Sequence, residues 1–502
     1  MSAKALPDAQ ARLDALSLDV HALVMAPAGS GKTGLLVHRM LRALAVVDVP
    51  EEVVAITFTR KAAAEVSTRV LEILRDAAVA VDEPGSEHER ALLISARAVL
   101  QRDREKDWQL LAHPARINAL TIDAFCAQLG AQLPLLSGLG GSIAISDDAR
   151  SLYLDAITRL FDEIEDASVP QQDRDALARV LRLSGNRLDR LIEPLSTLLA
   201  SREQWLYAAA AQNEQDWRTK DAQALESLVG QVMQEFNDVI DAQERESLIS
   251  AFREAAAHAP AMQWAQDLQH WPQDDQHSLQ KMAASLLTGD GKLRKKGGIN
   301  KTSGFPPKSA CKAQFQAFLE AREGDDELEA KALAMCQVPD SELPADMHEL
   351  RMCWLRVLRR LAAHLRVIFA SAGQADFGQL AQSALQALRP EGSYGDALLQ
   401  ADHKLRHLLV DEMQDTSETQ LRLIESLTAS WTPGDGRSLF LVGDPQQSIY
   451  AFRKAEVRLF LKLWDRAQLG ELVLSRLRLS ANFRSEPAVV EWFNTAFERV
   501  FP

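Results

Sequence analysis

The run Ala26-Pro27-Ala28-Gly29-Ser30-Gly31-Lys32-Thr33 joins a glycine-punctuated turn to a lysine and a hydroxyl. Gly29 and Gly31 let backbone N–H groups close around an anion, and a helix opening at Lys32 adds its positive end. This is the pattern of a P-loop, with Ala26 where the first glycine usually stands. Lys32 is placed to reach the terminal phosphates of a nucleotide and Thr33 to ligate Mg²⁺, with Ala28 and Ser30 completing the cradle. A plain turn between strand and helix is the competing reading, and the GSGKT spelling weighs against it. Far along the chain, the apolar Leu408-Leu409-Val410 ends in Asp411-Glu412. A carboxylate at the C-terminal end of a buried strand can hold Mg²⁺ beside a P-loop, and a neighbouring acid can take a proton from attacking water. In isolation such a pair would read as a solvated turn. Which nucleoside triphosphatase this is, the two motifs leave open.

Composition narrows the field. The chain has 502 residues, 47% hydrophobic and 25% charged, enough for several cores. Its net charge of −14 argues against a passive DNA coat, which would be basic, but leaves room for an enzyme gripping a strand in a local groove. The four cysteines (Cys126, Cys311, Cys336, Cys353) lack CxxC spacing and read as reduced thiols. His258, His270 and His277 are loosely grouped and read as solvated polar residues rather than a metal site. No apolar stretch is long enough to span a bilayer and the start carries no secretory pattern, so a cytoplasmic protein without membrane attachment is expected.

The elements that must position these residues follow an α/β pattern at both ends of the chain. Apolar runs at His21–Ala26, Val53–Thr59, Leu405–Val410 and Leu439–Val442 predict buried parallel strands. In Lys61–Arg75, Ala62, Val66, Val70, Ile73 and Leu74 fall on one helical face. From about Asp147 to Ala370 the spacing is helical throughout, which predicts a helical insertion in one α/β domain. Thr288–Ser309 is the clearest loop, and it clusters Lys292, Arg294, Lys295, Lys296, Lys301 and Lys308 among glycines. Such a cluster fits close backbone approach to phosphates of duplex DNA, or equally a solvated loop.

Further motifs sharpen the reading. Asp411-Glu412-Met413-Gln414-Asp415 resembles the DExQD box of UvrD-like superfamily-one helicases. The stretch from Gly443-Asp444 through Gln447-Ser448-Ile449-Tyr450 to Phe452-Arg453 is similar to their GDxxQSIYxFR motif. Thr57 to Glu65 resembles TFTxKAAxE, with Arg60 in place of a common Asn. Thr121-Ile122-Asp123-Ala124-Phe125-Cys126 resembles TIHxFC, and Leu479 to Ser485 resembles LxxNFRS. Within that family the RecB/AddA helicase-nucleases are most similar, through Leu286–Lys296 and the Asp376-Phe377 pair.

The resemblance implies ATP and Mg²⁺ as cofactors, with Thr33 and Asp411 on the metal and Glu412 as base. Gln10 and Arg39 would contact the adenine, Gln447 would sense the γ-phosphate, and Arg453 would lie beside it. Arg484 would be an arginine finger, a kind of residue worth roughly 10³–10⁵ in turnover. Thr59, Arg60, Thr121 and Phe125 would touch a DNA strand. Tyr450 and Phe452 would stack on bases, each stack worth about 1–3 kcal/mol whatever the base. If the basic cluster contacts DNA rather than standing as a solvated loop, Lys295 and Lys296 would meet duplex DNA ahead of the motor. The implied fold is a RecA-like P-loop domain with a parallel sheet (1–140 and 371–470), a helical domain inserted at 141–370, and the start of a second RecA-like domain at 471–502. The implied activity is 3′-to-5′ translocation on single-stranded DNA in double-strand break repair, with a partner subunit of the AddB or RecC kind. The chain stops eighteen residues after Arg484, before the family's later motifs, so ATP binding without strand separation is expected of it alone. Two rivals remain: another P-loop enzyme such as a nucleotide kinase, and a non-catalytic DNA-binding or scaffold subunit.

Overall fold

The computed structural model describes residues 6–79, 86–132, 144–146, 148–209, 214–299, 304–340, 345–388, 405–448 and 457–500. They divide into two compact units, Met1–Tyr207 with Val357–Pro502, and Ala208–Arg356.

The first unit is built on a six-stranded parallel sheet. Its strands are β1 (Ala22–Met25), β2 (Val53–Thr57), β3 (Asn118–Thr121), β4 (His407–Val410), β5 (Ser438–Gly443) and β6 (Ser475–Arg478), in the spatial order β6-β1-β5-β4-β2-β3. The four central strands are apolar and almost wholly buried because both sheet faces are covered. Alternate residues feed two cores. Val24, Leu409, Phe440 and Val442 point into one, and Leu23, Leu408, Leu439 and Leu441 into the other. Helices α1 (Ala9–Leu16), α2 (Lys32–Leu44) and α3 (Arg60–Val79) supply the first core. Helices α4 (Ile122–Gln132) and α5 (Glu418–Leu427) supply the second.

Two expectations shift here. Ser475–Arg478 is not among the expected strands, yet it pairs with β1 along its whole length. An edge strand needs no two-sided apolar run, and three of its four residues are exposed. The stretch expected to open a second domain at 471 therefore begins inside the sheet of the first. Likewise the compact helical unit is narrower than the 141–370 expected. The helices Arg150–Asp162, Gln171–Leu183 and Asp189–Ala200 cluster with the sheet unit.

Part of the reason is a buried polar knot in that unit. Asp376, 9% exposed, takes Arg202 in a bidentate pair at 2.7 and 2.5 Å and the Tyr153 hydroxyl at 2.6 Å. The Asp376-Phe377 pair thus ties Arg150–Asp162 to the start of the helix Phe377–Leu388. Burial would raise the Asp376 pKa, but Arg202 and Tyr153 hold it low. Breaking such a pair from one side strands a buried charge, which costs about 3–5 kcal/mol.

The second unit is helical around its own core of Phe236, Phe252, Phe305 and Phe315, with the last two stacked at 4.9 Å. The described parts of the basic segment, 288–299 and 304–309, belong to it and are folded rather than loose. Leu287 and Leu293 form an antiparallel bridge, and Ile299 and Phe305 are buried. Among the described residues of the chain, no helix is long and apolar enough to cross a membrane.

Candidate nucleotide-binding site

The motifs gather because the six strands run parallel, so that every strand ends on the same edge, the usual site of ligands in such sheets. The phosphate loop follows β1, Thr59 and Arg60 follow β2, and Thr121 closes β3. Asp411 and Glu412 follow β4, Asp444 to Ser448 follow β5, and Leu479 to Arg484 follow β6.

Gly29 and Gly31 adopt φ of 77° and 82°, the left-handed region a side chain resists. A Cβ on Gly29 would also lie 2.6 Å from the Asn482 side chain and 2.8 Å from Arg484 Cβ. Lys32 then opens α2 and sends its Nζ to Glu412 Oε2, 3.2 Å away across 380 residues of sequence. Glu412 itself has φ of 52°, the strained backbone of a residue held for its position.

A continuous polar chain runs on from there. The Gln414 amide donates to Glu412 Oε2 at 2.8 Å, and its oxygen accepts the Asp444 N–H at 2.9 Å. Asp444 in turn receives the Gln447 side-chain amide at 2.5 Å. Ser448 donates to Asp415 at 2.8 Å, joining the same two loops a second time. Gly443 must lack a side chain, since a Cβ there would stand 2.7 Å from Gln414 Oε1.

The donor set fits a nucleotide with Mg²⁺. Ser30 is 1% exposed and its buried hydroxyl has no hydrogen-bond partner among the protein atoms, so a phosphate oxygen in the loop would satisfy it. Burial, reinforced by the charge of Glu412, lifts Asp411 to a pKa of about 6 despite Lys32, and a cation beside it would relieve both effects. Among the described residues no three His, Cys, Asp or Glu side chains form a metal cluster. Few protein ligands are what Mg²⁺ asks for when phosphate oxygens and water supply the rest.

Other expected residues land elsewhere. Arg39 is fully buried inside α2, with its guanidinium held by the carbonyls of Ala15 and Val20 and stacked 5.0 Å over Phe440. That corrects its assignment to the adenine: both of its Nη groups face backbone oxygens, of Ala15 and Val20. Phe125, 7% exposed, packs in the second core, which corrects its assignment to a DNA strand. The Thr59 and Thr121 hydroxyls accept N–H bonds from Ala62 and Ala124, capping α3 and α4, while Arg60 stands exposed at the start of α3. Gln10 is exposed on α1 and donates to Asp14. Lys296 pairs with Glu320 and Lys292 with Glu329, leaving Lys295 exposed beside them. Tyr450, Phe452, Arg453 and Lys301 lie outside the described residues. The motifs contained Gln414 and Asp444, but no role followed from the sequence because their contacts join two loops.

Residues 8–468 match the family described as the UvrD/REP helicase N-terminal domain. The chain is 26% identical to an ATP-dependent helicase/nuclease subunit of Pelotomaculum thermopropionicum, over 95% of this chain and 37% of the relative. It is 26% identical to the protein of that name in Exiguobacterium sibiricum, over 96% of this chain and 39% of the relative. With the Desulfitobacterium hafniense protein of that name it shares 27% identity, over 97% of this chain and 35% of the relative. The chain thus spans less than two fifths of the length of these relatives.

Proposed function

The chain belongs to the UvrD/REP helicase family, and from that premise we propose that it binds and hydrolyses ATP to drive 3′-to-5′ movement on single-stranded DNA during double-strand break repair. The observation that carries this reading is the meeting of Lys32 with Glu412 and the unbroken polar chain from Glu412 through Gln414 and Asp444 to Gln447. Glu412 is the base for the attacking water, and its bond to Gln414 orients the carboxylate. Lys32 serves the terminal phosphates, and Ser30 with the loop amides holds the remaining oxygens. Thr33 and Asp411 hold Mg²⁺, which when bound neutralises charge on the transferring phosphoryl group. Gln447 senses the γ-phosphate and passes its state to the loop after β5, where the base-stacking Tyr450 and Phe452 follow in sequence. Lys295 in the second unit meets duplex DNA. By analogy with the helicase/nuclease relatives, the working assembly includes a partner subunit of the AddB or RecC kind, in the cytoplasm.

The test is ATP turnover with and without single-stranded DNA. Stimulation by DNA of any sequence, with none by small phosphate acceptors, is expected. Turnover driven by a nucleoside acceptor would replace the motor with a kinase, and absence of ATP binding would leave only a scaffold.

A further inference from the structure

Helix α1 opens on an acid that does not do the work its place suggests. Asp8 occupies the N-cap position, yet its side chain caps nothing. It is 5% exposed, and its Oδ2 accepts the backbone N–H groups of Ser480 at 2.8 Å and Ala481 at 2.9 Å, 472 and 473 residues away. Arg12, one turn on, neutralises the same carboxylate with bonds of 2.9 and 3.0 Å. Arg12 also donates to the Ser30 carbonyl at 2.7 Å and lies 5.0 Å over the Phe483 ring. The Phe483 N–H closes the ring of contacts on the Gly29 carbonyl at 2.7 Å. One ion pair, buried on its Asp8 side, therefore binds three segments: α1, the phosphate loop and the stretch leading to Arg484.

The geometry supports a purpose beyond folding. A charged acceptor taking two consecutive amides fixes the direction of the chain that carries them. Asn482 Oδ1 then accepts the N–H groups of Arg484 and Ser485, bending that chain back at the phosphate loop. Arg484 Cβ consequently stands at Gly29. We infer that Asp8, with Arg12, is a positioning residue that clasps the Leu479–Arg484 segment to the phosphate loop and so sets where Arg484 is presented to the nucleotide. The inference rests on reading that loop as the ATP site. Burial alone would raise the Asp8 pKa, but Arg12 and the two amides bring it to about 2, so the clasp is charged at any ordinary pH.

The test is hydrogen exchange on the purified chain, read at residues 479–485 with β1 and β5 as internal references. Asp8→Ala should speed exchange of Ser480 and Ala481 by about tenfold or more and leave β1 and β5 unchanged, as a local opening does. Asp8→Asn should give a smaller rise, because its amide oxygen can still accept both N–H groups. No change, or an equal rise across the whole sheet, overturns the clasp. In ATP turnover, Asp8→Ala should lower kcat with KM held, and the loss should not add to that of Arg484→Ala, since residues acting through one another are not additive. A raised KM at unchanged kcat, or additive losses, also overturns it. Titration of the wild type with a fluorescent ATP analogue is run beside these. Failure there sinks the ATP reading, while the exchange result still decides whether the segment is clasped.

Discussion

Glu412 keeps a left-handed backbone, a conformation that costs a residue with a side chain roughly 1–3 kcal/mol. The compensation is local: its N–H meets Asp411, and its carboxylate meets Lys32 and Gln414. Lys32→Ala should abolish Mg-ATP binding while the fold survives. The lost pair is partly exposed on the Glu412 side, so its removal should cost no more than about 1 kcal/mol. Calorimetric titration with ATP beside a thermal melt checks this, and retained affinity would refute the site. Phe125 is the opposite case. Phe125→Ala should cost about 3–5 kcal/mol of stability through the core cavity it leaves. Single-stranded DNA affinity per folded molecule should not change; a loss there would restore the strand contact that burial argues against. The sequence offered the identity of each motif residue. It could not separate Phe125 in the core from an aromatic platform, because both uses ask for the same side chain.

At the scale of elements, the exit of β5 carries the hydrogen bonds that join the loops after β4 and β5. Gly443→Ala would drive a methyl into Gln414 Oε1 and to 3.0 Å from Phe460. Overpacking of that kind costs about 1–3 kcal/mol, and here it should also displace the Gln414 amide from Asp444. The expected result is a lower melting temperature together with turnover that no longer responds to DNA; intact stimulation would mean the polar chain transmits nothing. The basic hairpin is legible differently. Its lysines stand out in an acidic chain, but Glu320 and Glu329, which neutralise two of them, come from helices later in the sequence. Lys295→Ala should therefore weaken duplex binding and lower the salt slope by about 1, while Lys296→Ala should change it less. Binding titrations at several salt concentrations decide this, and equal effects would show that the pairing with Glu320 is irrelevant.

At the scale of the whole molecule, the same burial that makes the sheet unit stable makes it acid-sensitive. His38 on α2 and His407 on β4 are both buried, and burial chiefly, with nearby cationic groups, lowers each pKa to about 4. Unfolded, each would titrate near 6.5, so between these values the unfolded chain binds more protons. The contribution of these two histidines should hold above about pH 6.5, fall as the pH drops toward about 4, and level off below, at most on the order of 3 kcal/mol each, opposed in part by Asp411, whose raised pKa of about 6 makes its protonation favour the folded chain over the same range. Denaturant titrations from about pH 7 to about pH 4, with His407→Gln as the comparison, should show the variant losing less; equal slopes would clear His407 of the effect. What the sequence determined by itself was the family, the parallel α/β class, the four central strands and the two motifs, after β1 and β4, that meet at Lys32 and Glu412. Short motifs with fixed spacing, and apolar runs buried on both faces, are local properties. The tertiary structure alone decided that Ser475–Arg478 is the sheet edge, that Arg39 and Phe125 are core, and that Asp8 reaches Ser480 and Ala481. An edge strand, a buried cation and a clasp between distant segments depend on what lies across from them, and nothing in their own neighbourhoods of sequence records it.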